Sequence, residues 1–130
     1  MNFLLDTNFI IFLLKGDLSA KQLLSLQEAE SFYLSSITVS ELIHGAFKSK
    51  QQEKNLSKVD LIIKNFDILD FNLGAARVFG RLRSNLEKNG TIIGPYDLQI
   101  AAIALENSCT LVTRNLKEFT RIDDLKVIGY

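Results

Sequence analysis

Apolar positions fall into short runs and longer helical stretches that alternate along the chain. Asn2–Leu5 is a short apolar run ending at Asp6 and predicts a first strand, after which Thr7 or Asn8 can cap a helix over about Phe9–Lys15. Gly16-Asp17 ends that helix, and Ser19–Ala29 predicts a second with Leu23, Leu24 and Leu26 inward. Ser31–Ser35 alternates as a strand, and Ser36–Leu42 turns into a helix reaching about Phe47. Lys48–Lys64 is a charged helical stretch with a break expected near Asn55, followed by a strand over Phe66–Phe71. Leu73–Lys88 is a long amphipathic helix with Asn89-Gly90 as its stop. Gly94-Pro95 opens a further helix to about Asn107, because proline suits a first turn whose N–H has no helical partner. After Asp97 this helix is apolar on almost every side, which marks it as buried. Cys109–Thr113 reads as a buried strand, Leu116–Phe119 as one helical turn and Leu125–Ile128 as a last strand.

Strands alternating with helices predict an α/β fold with a mostly parallel sheet and helices on both faces. At 130 residues the chain is read as a single domain over 1–130. In such sheets functional groups gather beyond the C-terminal ends of the strands. Asp6 ends the first strand, Glu41 follows the second, Asn115 follows the fourth, and Asp97 sits at the mouth of the buried helix. All four are expected at one edge of the sheet.

Composition narrows the choices. The chain is 47% hydrophobic and 23% charged, which is globular. Fifteen basic and fifteen acidic residues cancel, so a strongly basic coat for non-specific nucleic-acid binding is excluded, though local basic patches are not. One cysteine, Cys109, excludes a disulfide framework or a cysteine-based zinc site within the chain and is read as an inert buried thiol. Phe9–Leu14 is apolar but short, has Asp6 before it and no basic n-region, so it is neither a leader nor a membrane span. The expected location is cytoplasmic, with no membrane partner.

Each candidate has a plainer alternative. Asp6 also suits a cap or turn. Thr38-x-x-Glu41 matches a capping box, in which the glutamate reaches back to the cap N–H. Asp97 suits the dipole of its helix N-terminus. Jointly, three converging acids repel one another unless one takes up a proton or a cation binds. Mg²⁺ or Mn²⁺ resolves this, since a hard cation prefers oxygen ligands and needs only one or two carboxylates beside its waters. Asn115 could cap the short helix or orient a water, and His44, one turn after Glu41, could face the cleft or the surface. Lys48, Lys50, Lys54, Lys58 and Lys64 read as a solvated face. Arg77 and Arg81, one turn apart with Arg83 beside them, could grip phosphates or form surface pairs.

Leu5-Asp6-Thr7-Asn8, Ile37–Leu42, Ile93–Ala102 and Leu111–Asn115, in this order, resemble the PIN-domain ribonucleases, specifically the VapC-type toxins of toxin–antitoxin systems. The closing Phe119–Ile122 and Leu125–Val127 are similar too. The resemblance implies a PIN-like three-layer sandwich and a Mg²⁺- or Mn²⁺-dependent endoribonuclease. It implies a homodimer and a toxin–antitoxin hetero-oligomer, inactive when held by a cognate antitoxin that carries the DNA-binding function. Metal-ligand roles fall on Asp6 and Asp97, with Glu41 as third acid and Asn115 at a fourth position that is often acidic elsewhere. Glu118 is the nearest acid able to take that place. Thr7 would position the site, and Thr7, Arg77, Arg81 and Arg114 are the candidate substrate contacts. The substrate would be tRNA, rRNA or mRNA, cut in single-stranded or looped segments whose backbone can be splayed into a cleft. A catalytically silent PIN-like module that binds a partner protein or RNA is the alternative. A phosphoryl-accepting receiver-type domain fits less well, lacking a second aspartate beside Asp6.

Overall fold

The computed structural model describes residues 1–16 and 31–130. The helix expected over Ser19–Ala29 lies outside them. Strand β1 (Asn2–Leu5) leads into helix α1 (Thr7–Leu14); β2 (Ser31–Ser35) leads directly into α2 (Ser36–Lys48), and α3 (Gln52–Asn65) and β3 (Asp67–Leu69) follow. Then come α4 (Leu73–Lys88), α5 (Pro95–Glu106), β4 (Thr110–Val112), the single turn α6 (Leu116–Phe119) and β5 (Val127–Ile128). Among the described residues, five strands form one sheet in the order β3-β2-β1-β4-β5, and every pair is parallel.

Side chains alternate across a strand, so a sheet covered on both faces needs apolar residues at consecutive positions. β1 shows the consequence. Leu4 packs with α4 and α5 on one face, while Phe3 and Leu5 pack with α1, α2 and α3 on the other. β4 repeats the division, with Leu111 on the Leu4 side and Val112 on the Leu5 side. The result is helices, sheet, helices in three layers. α5 buries Leu98, Ile100, Ala101, Ala102, Ile103 and Ala104, as its all-round apolar sequence requires. Among the described residues no helix is long and apolar enough to cross a membrane.

Several local expectations change. The cap of α1 is Asp6, whose Oδ1 accepts from the Phe9 N–H at 2.8 Å, and neither Thr7 nor Asn8. α2 starts earlier than the Thr38–Glu41 box implies. Ser35 is its cap and accepts from the Thr38 N–H at 3.0 Å, so Thr38 lies inside the first turn and Glu41 beyond it. The capping-box reading of Glu41 is therefore overturned, because a hydroxyl three residues earlier already satisfies the helix end. The break in the charged stretch falls at residues 49–51, where Ser49 is extended (φ −76°, ψ 161°), and not at Asn55. Asn55 instead donates from Nδ2 to the Ser49 hydroxyl at 2.8 Å, tying the two helices across the break. β3, β4 and β5 are shorter than the apolar runs that contain them.

The strand order reverses beside β1: β2 and β3 build outward on one side, β4 and β5 on the other. That reversal opens a crevice beyond the C-terminal ends of β1 and β4. The buried α5 is the element most sensitive to volume loss. Ile103→Ala removes a side chain that is 0% exposed and should cost about 2–5 kcal/mol, seen as a lower urea midpoint with unchanged slope. An unchanged midpoint would show that α5 is not core.

Candidate active site: a carboxylate cleft at the sheet edge

Each acid reaches the crevice for a local reason. Asp6 follows β1 and is locked by its capping bond to Phe9. Its backbone N–H donates to the Val112 carbonyl at 3.1 Å, so the residue still belongs to the sheet edge. Glu41 is brought in by the direct passage from β2 into α2. Asp97 occupies the first turn of α5, where Gly94 provides no side-chain cap and a carboxylate is favoured by the helix dipole. Asp6, Thr7, Asn8, Ile11, Glu41 and Asp97 line one cavity of about 210 Å³.

Glu41 is held by hydroxyls. Its Oε1 accepts from Thr7 Oγ1 at 2.7 Å, Thr7 Oγ1 lies 3.0 Å from Thr38 Oγ1, and Ser35 Oγ donates to Thr38 Oγ1 at 3.2 Å. A hydroxyl has one proton, and an ionised carboxylate only accepts. Thr7 therefore spends its proton on Glu41, Thr38 donates to Thr7, and Ser35 to Thr38. This chain runs from the end of β2 to the start of α1 and fixes the orientation of the carboxylate. Thr7 thus serves the acids themselves.

The charges are coupled. Asp6 is 7% exposed, and burial raises its pKa. Hydrogen bonds from the Thr113 hydroxyl and the Phe9 N–H oppose that rise, as does the nearby Tyr130 hydroxyl, and the charge of Glu41 adds to it. Asp97 is pushed up to about 6, first by burial and then by the charges of Glu118, Glu41 and Asp6. Glu118 is thus the charge that acts most on Asp97. Asn115 brings it there: its Nδ2 donates to Glu118 Oε2 at 2.9 Å, while its own N–H donates to Thr113 Oγ1 at 3.0 Å. Asn115 stands at the cap position of α6 without making a side-chain cap.

The other candidates are elsewhere. His44 is exposed on α2 and does not line the cleft. Arg77 is exposed on α4, and Arg81 lines a separate groove with Lys88, Arg121, Asp123 and Asp124. Arg83 lies 4.0 Å from Glu87 as an exposed pair. The Arg114 guanidinium sits over the Phe12 and Tyr130 rings, 4.2 and 4.6 Å from their centroids. Thr113 and Tyr130 are the contributors that sequence reasoning missed. Thr113 leaves one trace, a polar residue directly after the apolar β4. Tyr130 leaves none, because only the fold brings it to Asp6.

The donor set suits a hard divalent cation. It offers carboxylate and hydroxyl oxygens, the neighbouring acids add to the raised pKa of Asp97, and the cavity has room for water. Among the described residues no three acidic, histidine or cysteine side chains already stand close enough to enclose an ion. An open arrangement of this kind fits Mg²⁺ or Mn²⁺, which keep several waters and use one or two carboxylates.

Comparison with known proteins points the same way. The family model described as "PIN domain" matches residues 3–125. The chain is 39% identical over 127 residues to "Ribonuclease VapC2" of Rickettsia felis, covering 96% of this chain and 95% of that protein. It is 35% identical over 127 residues to "tRNA(fMet)-specific endonuclease VapC" of Shigella flexneri, covering 97% and 96%. Among solved structures, VapBC2 from Rickettsia felis bound to a promoter DNA fragment superposes with a TM-score of 0.94 at 38% identity, over 100% of this chain and 99% of that one.

The raised pKa of Asp97 has a signed consequence for the metal-free protein. Its ordinary value is 3.8 and its folded value about 6, so the folded state binds the proton more tightly. The stabilisation is complete below 3.8 and is lost as pH rises through about 6. Melting temperatures in EDTA should fall for the wild type across that window relative to Asp97→Asn. A wild type that gained stability on Asp97→Asn over the same window would contradict the clustering.

Proposed function

We propose that this chain, which belongs to the PIN-domain family and within it to the VapC-type toxins, is a Mg²⁺- or Mn²⁺-dependent endoribonuclease that hydrolyses RNA phosphodiester bonds. The observation that carries the reading is the convergence of Asp6, Glu41 and Asp97 on one cavity, with Asp97 raised to about 6 partly by its acidic neighbours. Asp6 and Asp97 would hold the cation, with Glu41 as third acid and Glu118, kept in place by Asn115, as a fourth nearby charge. The bound cation supplies positive charge that polarises the phosphoryl group and lowers the pKa of water. Glu41, oriented by Thr7, takes the proton of the attacking water or fixes its direction of approach. The water oxygen then bonds to phosphorus as the P–O bond to the leaving oxygen breaks, and that oxygen takes up a proton from solvent, so one strand becomes two. Asn115 and Thr113 keep Glu118 and Asp6 from turning away.

Substrate and partners rest on the relatives. The Shigella flexneri protein is named for tRNA(fMet), which supports structured RNA as substrate and a tRNA as the first one to try. The Rickettsia felis structure is a VapBC2 assembly on promoter DNA, which supports a cognate antitoxin as partner and a toxin–antitoxin hetero-oligomer. The zero formal charge of this chain agrees with DNA binding by the partner. Arg114, exposed and stacked over Phe12 and Tyr130, remains a candidate substrate contact.

Purified protein should cut total RNA or tRNA with Mg²⁺ or Mn²⁺ and stop in EDTA. Asp97→Asn should remain folded by circular dichroism, because the amide can occupy the same first-turn position, and should lose at least about 100-fold in rate. Equal cleavage by Asp97→Asn, or cleavage persisting in EDTA, would defeat the proposal.

A further inference from the structure

The segment after β5 returns to the acid cleft, and its last described side chain is latched there. The Thr113 N–H donates to the Ile128 carbonyl at 3.0 Å, which carries the sheet pairing past β4. Arg114, the next residue, donates from Nε to the Tyr130 carbonyl at 3.2 Å. Its guanidinium sits over the rings of both Phe12 and Tyr130. The Tyr130 ring meets Phe9 edge-on, with centroids 4.8 Å apart at 77°, and Phe12 at 6.2 Å and 64°. Phe9 is the residue whose N–H caps Asp6. Two residues of α1 and one following β4 therefore fix both the ring and the backbone of Tyr130.

We propose that Tyr130 is a positioning residue for Asp6, with Arg114 and Phe12 as the latch that delivers its buried hydroxyl to that carboxylate. The buried phenol faces the Asp6 carboxylate and lowers its pKa, alongside the 2.8 Å bond from the Phe9 N–H. A tyrosine hydroxyl facing a carboxylate acts as the donor, so it favours one orientation of Asp6. The Phe9 N–H holds Oδ1, the Thr113 hydroxyl comes from just past β4, and the phenol adds a third donor from beyond β5. Partners of this kind orient metal-binding carboxylates and are felt in metal affinity. The arrangement also gives Arg114, part of the Leu111–Asn115 motif, a structural task at the cleft. The proposal rests on the reading of Asp6 as a cation ligand.

The test uses the full chain, stripped of metal and titrated calorimetrically with Mn²⁺. Tyr130→Phe keeps the ring and removes only the hydroxyl. Its melting temperature in EDTA should stay within about 2 °C of the wild type, while its Kd for Mn²⁺ rises about tenfold. Arg114→Ala should weaken Mn²⁺ binding similarly, yet add little further loss to Tyr130→Phe, because latch and hydroxyl act through one contact. Wild-type affinity in Tyr130→Phe overturns the positioning role and leaves the nuclease reading intact. Fully additive losses in the double variant overturn the latch. A wild type that binds no Mn²⁺ overturns the cation reading itself, and this proposal with it.

Discussion

Mutual repulsion among carboxylates at the end of a parallel sheet is the constraint around which this molecule is arranged. Asp6, Glu41, Asp97 and Glu118 act on one another strongly enough to be felt in the pKa of Asp97. Left alone, such a group would spread or take up a proton. The fold resists both with fixed donors. Asp6 is tied by its capping bond, Glu41 by the hydroxyl chain from Ser35, and Glu118 by Asn115. Asp97 needs no side-chain tie because the first turn of α5 already favours negative charge. Several of these ties are also helix caps or first-turn residues, so the same groups that end and begin elements also aim the acids.

The packing beneath the cleft explains why the ties hold. β1 is covered on both faces, with Leu4 committed to one layer and Phe3 and Leu5 to the other. A one-residue slip would exchange the two layers and move Asp6 off the edge. α5 is fixed by burial on nearly every side, so Asp97 cannot retreat without opening the core. Repulsion at the edge is thus opposed by apolar burial below it, and a divalent cation would relieve the residual strain.

Legibility in the sequence followed the local signals. β1, β2 and α4 carry the limits expected of them, because Asp6 closes the first apolar run, Ser31–Ser35 alternates cleanly, and Asn89-Gly90 stops the amphipathic stretch at Lys88. At the start of α2 the sequence offers two competent caps, Ser35 and Thr38, and only the backbone decides between them. The Thr38 alternative makes Glu41 look like part of a cap, whereas its partner is Thr7, thirty-four residues away. Glu118 is legible as the acid nearest Asn115, on a short helix with the expected limits Leu116–Phe119, and only its bond from Asn115 needs the fold. Tyr130 needs the tertiary fold entirely, since it meets Asp6 only through the latch on Arg114. The arginines of α4 show the converse: their helical spacing is real, but Arg81 lines another groove and Arg77 is simply exposed.

Family membership explains what the chemistry is for, and the carboxylate cleft explains how this chain would perform it. The most direct test of the central claim is the melting temperature of metal-stripped protein at neutral pH, with and without Mn²⁺, for the wild type and for Asp6→Asn combined with Asp97→Asn. The account predicts that saturating Mn²⁺ raises the wild-type melting temperature by several degrees, as expected when a ligand binds only the folded state, and leaves the double variant unmoved. Equal shifts in both proteins, or no shift in the wild type, would contradict it.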